Sequence, residues 1–193
     1  MTGKRLGVGF VGSGFNARFH LLAFQSVRDA DVLGVWSPNH KHAQETAAIA
    51  RKLEVGEAKP YRSLAEMVAD PTIDALWVCG PNFARIENFQ EITDTVTRGK
   101  GELRGIACEK PLARNVAEAK QVLELTKKAG IAHGYLENQA FAPPWRRAAP
   151  SSGRAAPRSP AAPTSPGPRK STADPTCPGS GRASSKAAGC STT

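Results

Sequence analysis

Arg5-Leu-Gly-Val-Gly-Phe-Val-Gly-Ser-Gly-Phe-Asn-Ala17 is the stretch on which the reading of this chain turns. It opens as a short β-rich run through Val11. Gly12, Ser13, Gly14, Phe15, Asn16 and Ala17 then fit the pattern G-x-G-x-x-G/A and lead into a helical segment. The pattern has a mechanism. Gly12 allows the sharp turn from strand to helix, and Gly14 lets a diphosphate approach the backbone. Ala17 permits close helix–strand packing, while the first N–H groups and the positive end of the helix dipole face the anion. A glycine-rich hexapeptide alone is a weak signal, because purely structural turns of this kind follow many strands. Here it stands after the first strand and before a helix, where dinucleotide binding needs it.

Working outward, Asn16 to Val27 predicts a helix with Ala17, Phe19, Leu21, Leu22, Ala23 and Phe24 on its buried face. A second strand, Asp31 to Trp36, breaks at Ser37-Pro38-Asn39, and an Ala-rich helix covers His42 to Lys52. Tyr61-Arg62-Ser63 leads to a short helix in which Ser63 and Glu66 make a capping-box pattern. Strand Ala75–Cys79, helix Ala84–Arg98, strand Gly105–Cys108, helix Asn115–Ala129 and strand Ile131–Leu136 follow. Alternating strands and long helices predict right-handed βαβ units, hence an α/β domain with a doubly wound parallel sheet of the Rossmann type. The apolar runs predict strands covered on both faces. Ligands of such sheets bind beyond the carboxyl ends of the strands, so the residues just after each strand carry the functional reading.

The end of the second strand bears on which dinucleotide is held. An Asp or Glu there bonds the ribose hydroxyls of NAD. This chain has Ser37, then Asn39, His40, Lys41 and His42. A hydroxyl with a cation nearby accepts a 2′-phosphate without the repulsion of a carboxylate, which favours NADP over NAD; the bland alternative is a solvated helix start. Cys79-Gly80-Pro81-Asn82 ends the next long strand and Cys108-Glu109-Lys110-Pro111 the one after it.

Together with the glycine loop, these strand ends resemble the Gfo/Idh/MocA family of nicotinamide-dependent oxidoreductases over about residues 5–142. Glu109-Lys110-Pro111 is the most specific element, joined by Pro81-Asn82 and by Gly134-Tyr-Leu-Glu-Asn-Gln139. Gly80 stands where family members often carry Thr or Ser. The resemblance implies hydride transfer between a nicotinamide cofactor and a sugar- or polyol-like substrate. It places Lys110 between nicotinamide and substrate hydroxyl as the catalytic base or proton relay, a role chemistry supports because the hydroxyl must lose a proton as hydride leaves. A partly buried Lys beside oxidised nicotinamide is expected to have a depressed pKa; the bland alternative is a turn lysine paired with Glu109. The cofactor-binding residues are Gly12 to Ala17, Ser37, Asn39, Lys41, Gly80, Pro81, Asn82, Glu109, Lys110 and Asn138, the last equally readable as a turn residue. His20 reads as a packed or capping histidine, His133 as structural, and Cys79 and Cys108 as small buried hydrophobes.

The chain has 193 residues and a formal charge of +9. Residues 146–193 hold eight basic residues against one acidic, and no Val, Ile, Leu, Met, Phe, Tyr or Trp. Such a segment cannot offset its ordering entropy by burial. The expected organisation is an NAD(P)-binding domain over 1–142 and a disordered Ala/Pro/Ser/Arg-rich tail over 143–193. That tail reads as a product of an altered reading frame near Pro143–Arg146 rather than an evolved linker. Family members continue into a second, substrate-binding domain, so impaired hydride transfer is the accompanying expectation. A non-catalytic dinucleotide module or sensor is the alternative function. The tail's charge could attract nucleic acid, but with no interleaved aromatics base stacking is not expected, and nucleic acid is not read as a partner. No apolar run approaches a membrane span, no cysteine has metal-ligand spacing, and the absence of a signal peptide suggests a cytoplasmic setting.

Overall fold

A computed structural model describes residues 4–141; the boundary at 142/143 and the whole basic tail lie outside the described residues. Six strands, β1 Leu6–Val11, β2 Ala30–Trp36, β3 Lys59–Tyr61, β4 Ala75–Val78, β5 Gly105–Glu109 and β6 Ala132–Leu136, form one sheet in the order β3-β2-β1-β4-β5-β6. Every pairing is parallel. The chain builds one half outward from β1, returns, and builds the other half from β4, so strand order reverses between β1 and β4. That crevice is where an open α/β sheet holds its ligand. The sequence reading missed β3, a three-residue edge strand containing Pro60. Pro lacks the N–H of a ladder donor and is tolerated in strands at such edges.

Helices α1 Phe15–Phe24 and α2 His40–Lys52 cover one face, while α3 Leu64–Ala69, α4 Arg85–Thr97 and α5 Val116–Lys128 cover the other. Side chains alternate along β1 accordingly. Val8 and Phe10 pack with Ala17, Leu21, Phe24, Ala43 and Ala47; Val11 packs with Leu76, Val78, Phe89 and Ile92. The helix starts follow local chemistry. Ser63 accepts the Glu66 N–H at 3.0 Å and Asn115 accepts the Glu118 N–H at 3.0 Å. The Glu66 carboxylate returns to the Arg62 N–H rather than to Ser63, one residue short of a reciprocal box.

Two expectations are corrected. On α1 only Ala17, Leu21 and Phe24 are buried, whereas Phe19 and Leu22 are 51% and 55% exposed. At 100° per residue, six apolar side chains within eight positions cannot share one face; the stripe at i, i+4, i+7 wins. Among the described residues the sheet is also not covered on both faces throughout. The α1–α2 layer ends over Trp77, whose indole meets Phe24 edge-on at 5.3 Å, and beyond it Ala132, His133, Gly134 and Tyr135 of β6 are exposed. Two helices about 10 Å wide span about four strands spaced about 4.8 Å apart, not six.

Leu21→Ala should lower the unfolding free energy by about 2–4 kcal/mol, and Leu22→Ala by less than about 0.5 kcal/mol. Urea denaturation followed by tryptophan fluorescence checks this; equal losses would show that the buried stripe is misassigned.

Candidate functional site

Where β1 stops, Gly12 takes φ +112° and donates its N–H to the Trp36 carbonyl at 2.8 Å. A Cβ on Gly12 would lie 2.8 Å from the Gly80 nitrogen, so two backbones touch at the switch point. Gly14 forms the N-cap of α1 without any side-chain cap, and the first turn carries no acid. The first N–H groups of α1 are therefore left for an external acceptor. Around a Cβ built on Gly14 nothing lies within 4 Å, which leaves open space of the kind a phosphate needs. The chain's own geometry thus fits a diphosphate.

The loop is tied to the neighbouring strand ends. Ser13 Oγ donates to Ser37 Oγ at 2.9 Å, and Ser37 is buried. Asn39 caps α2 by accepting the Lys41 N–H at 3.1 Å, while Lys41 itself is exposed. A hollow of about 240 Å³ lies between Gly12–Gly14, Ser37–Pro38 and Gly80–Pro81. Next to it a cleft of about 400 Å³ is lined by Gly14, Phe15 and Asn16, by Gly80, Pro81 and Asn82, and by Lys110 and Pro111, with Arg85 at its wall. Three strand ends distant in sequence therefore meet in one place. A larger hollow, about 1030 Å³, lies at the opposite, amino-terminal edge beside Lys4, Asp74 and Arg104. Strand topology puts ligands at the other end.

Other sequence-predicted residues stand apart from the cleft. Ala17 is buried on the face of α1 that packs on β1, Asn138 begins an exposed 3-10 turn, and Glu109 is buried with its carboxylate on His20 Nε2 at 2.8 Å. Glu109 is thus not the ion-pair partner of Lys110. Lys110 is exposed, contrary to the partly buried expectation, because no described segment closes over the end of β5. The Lys110–Pro111 bond is cis.

Sequence reasoning missed Arg85, which is only 1% exposed. It donates to the Val78 carbonyl at 3.0 Å, to Cys108 Sγ at 2.7 Å and to the Glu109 carbonyl at 3.2 Å. The spacing of Arg85 with Asn88, Phe89 and Ile92 on one helical face was the available signal. Burial, reinforced by the Glu109 carboxylate, pushes the Cys79 thiol up to about 12. Burial also pushes Cys108 up to about 11 against the opposing pull of Arg85. Both thiols stay protonated and unreactive near neutrality. Among the described residues no group of three or more His, Cys, Asp or Glu could hold a metal ion, and no helix is long and apolar enough to cross a membrane.

An open parallel sheet with a glycine loop at its switch point, uncapped toward an anion-sized space, defines a dinucleotide-binding Rossmann domain. The chain belongs to the Gfo/Idh/MocA oxidoreductase family: the family described as an oxidoreductase family with an NAD-binding Rossmann fold matches residues 6–135. It is 26% identical over 124 residues to the myo-inositol 2-dehydrogenase of Thermotoga maritima, covering 64% of this chain and 34% of that protein. Among solved structures it resembles GenD2 from gentamicin A biosynthesis in complex with NAD, with TM-score 0.63 and 23% identity, covering 77% of this chain and 39% of that one. It also resembles myo-inositol dehydrogenase from Lactobacillus casei in complex with NAD(H) and myo-inositol, with TM-score 0.52 and 27% identity, covering 64% and 34%. The chain therefore spans about a third of the length of the curated relatives it matches.

Gly12→Ala should lower the melting temperature and abolish dinucleotide binding, since the new Cβ strains φ and strikes backbone. Gly14→Ala should fold like the parent and bind at least about tenfold more weakly, by blocking only the ligand. Differential scanning fluorimetry with and without NADPH separates the two; parent-like affinity for Gly14→Ala would contradict the diphosphate assignment.

Proposed function

We propose that this chain binds a nicotinamide dinucleotide, NADP in preference to NAD, for hydride exchange with a sugar- or polyol-like substrate, with Lys110 as its proton-handling residue. The observation that carries the reading is the cleft in which Gly14–Asn16, Gly80–Asn82 and Lys110 converge. The nicotinamide, when bound, supplies the hydride acceptor or donor.

The remaining chemistry belongs to the protein. The N–H groups after Gly14 hold the diphosphate, with the α1 dipole adding to the attraction. Gly80, Pro81 and Asn82 form the opposite wall, and a Cβ on Gly80 would meet nothing closer than 3.8 Å, so that wall has room to spare. Ser37 and Lys41 favour a 2′-phosphate: β2 ends without a carboxylate, Ser37 offers a hydroxyl, and the Lys41 ammonium stands at the start of α2. Asn39 supports them by fixing that helix start. The neutral amine of Lys110 takes the hydroxyl proton of an alcohol substrate at Nζ, and the ammonium so formed passes it to solvent, to which it is open. Buried, reduced Cys79 and Cys108 agree with a cytoplasmic setting.

Nicotinamide fluorescence titration of the full chain should give a lower Kd for NADPH than for NADH, by about fivefold or more. Ser37→Asp should reverse that order. Lys110→Ala should leave affinity within about threefold while lowering polyol-dependent NADP⁺ reduction by about 10²–10⁴-fold. Saturating amounts of either coenzyme that move neither emission nor melting temperature would overturn the reading.

A further inference from the structure

The Lys110 ammonium has no ion-pair partner among the described residues and is exposed, so the place of its Nζ depends on how the backbone at the end of β5 is held. Two contacts hold the residue before it. From α1, His20 Nε2 reaches Glu109 Oε1 at 2.8 Å, and both side chains are largely withdrawn from solvent, at 15% and 9% exposure. From α4, Arg85 donates to the Glu109 carbonyl at 3.2 Å while also gripping the Val78 carbonyl, the last of β4, at 3.0 Å. The His20 ring is kept edge-on to Trp77 at 5.7 Å and to Phe19 at 5.9 Å. An almost fully buried guanidinium without a carboxylate partner among the described residues is costly to hold. What its donors accomplish there is to join two strand ends.

We infer that His20, Glu109 and Arg85 form a clamp that positions Lys110 relative to the glycine loop. His20 is a positioning residue, not a catalytic one: it sits one turn into the helix whose start carries the loop, so α1 connects the anion site and the lysine as one piece. The inference rests on the proposed role of Lys110, yet the clamp is observable without coenzyme.

The test uses the full chain with its lysines reductively ¹³C-methylated and the Lys110 signal assigned from Lys110→Arg. His20→Gln places an amide nitrogen near the position of Nε2 and keeps the donor; His20→Asn is too short to reach Glu109. His20→Asn should shift or broaden the Lys110 signal while the other lysine signals stay in place, and should weaken NADPH binding about fivefold. His20→Gln should restore both. If His20→Asn does not fold, His20→Leu, which fills the space without a donor, replaces it. A Lys110 signal unchanged in the donor-less variant overturns the clamp, as does a His20→Gln spectrum equally displaced. If NADPH leaves every signal of the parent unmoved, the proposed function fails, and the coenzyme-free spectra still decide the clamp.

Discussion

At Gly12 the chain leaves β1 with a backbone conformation that L side chains rarely adopt, and its Cα comes so near the turn after β4 that even a methyl group would meet the Gly80 nitrogen at 2.8 Å. That near-contact of two main chains fixes the distance between the halves of the sheet at the point where strand order reverses. Cys79 adds to it by donating its N–H to the Val11 carbonyl at 2.9 Å. The direction of α1 follows, because the helix begins two residues beyond the turn. With α1 fixed, its uncapped N–H groups look into the crevice and the 17/21/24 stripe settles on β1. A bulkier residue at position 12 would separate the turns, and everything built on their contact would move.

The other constraint is electrostatic and sits at the far wall. Burying a charge is costly unless hydrogen bonds replace its water. Arg85 meets part of that cost with two carbonyls and a thiol while its Nε has no partner, and the Glu109 carboxylate meets part of its own through one oxygen on His20. Both arrangements end on the same residue, immediately before Lys110. The glycine turn and the buried polar group are thus complementary. On the proposed function, one sets where the diphosphate is received, and the other sets where the Lys110 side chain stands across from it.

How legible was this in the sequence? The glycine loop, the two later strand ends and the βαβ alternation were readable because each is local: a turn, a cap and a period of hydrophobicity. Five of the six strands follow from that. β3 escaped because three residues including a proline carry no periodicity, and it forms only through pairing with β2. His20 was read as packed, which is half of its story. Its bond to Glu109 spans 89 positions, and no local pattern encodes such a contact. Arg85 was missed for a different reason: charged residues near a helix start read as solvated, and only its spacing with Phe89 and Ile92 marks the inward face.

The bare part of the sheet and the exposed apolar residues of α1 bear on the chemistry through water. Phe15, at 81% exposure, stacks on Phe19 at 6.4 Å and also lines the cleft beside Lys110. The apolar margin of the site and its open mouth therefore lie on the same side. Electrostatic control over a hydride and a proton strengthens as water is displaced, because the effective dielectric falls. Among the described residues nothing covers Lys110, so its ammonium is held by backbone placement alone and remains hydrated. On the proposed function, the described residues supply binding and alignment, and hydride transfer at Lys110 would be favoured by any surface that displaced water from Phe15 and Lys110.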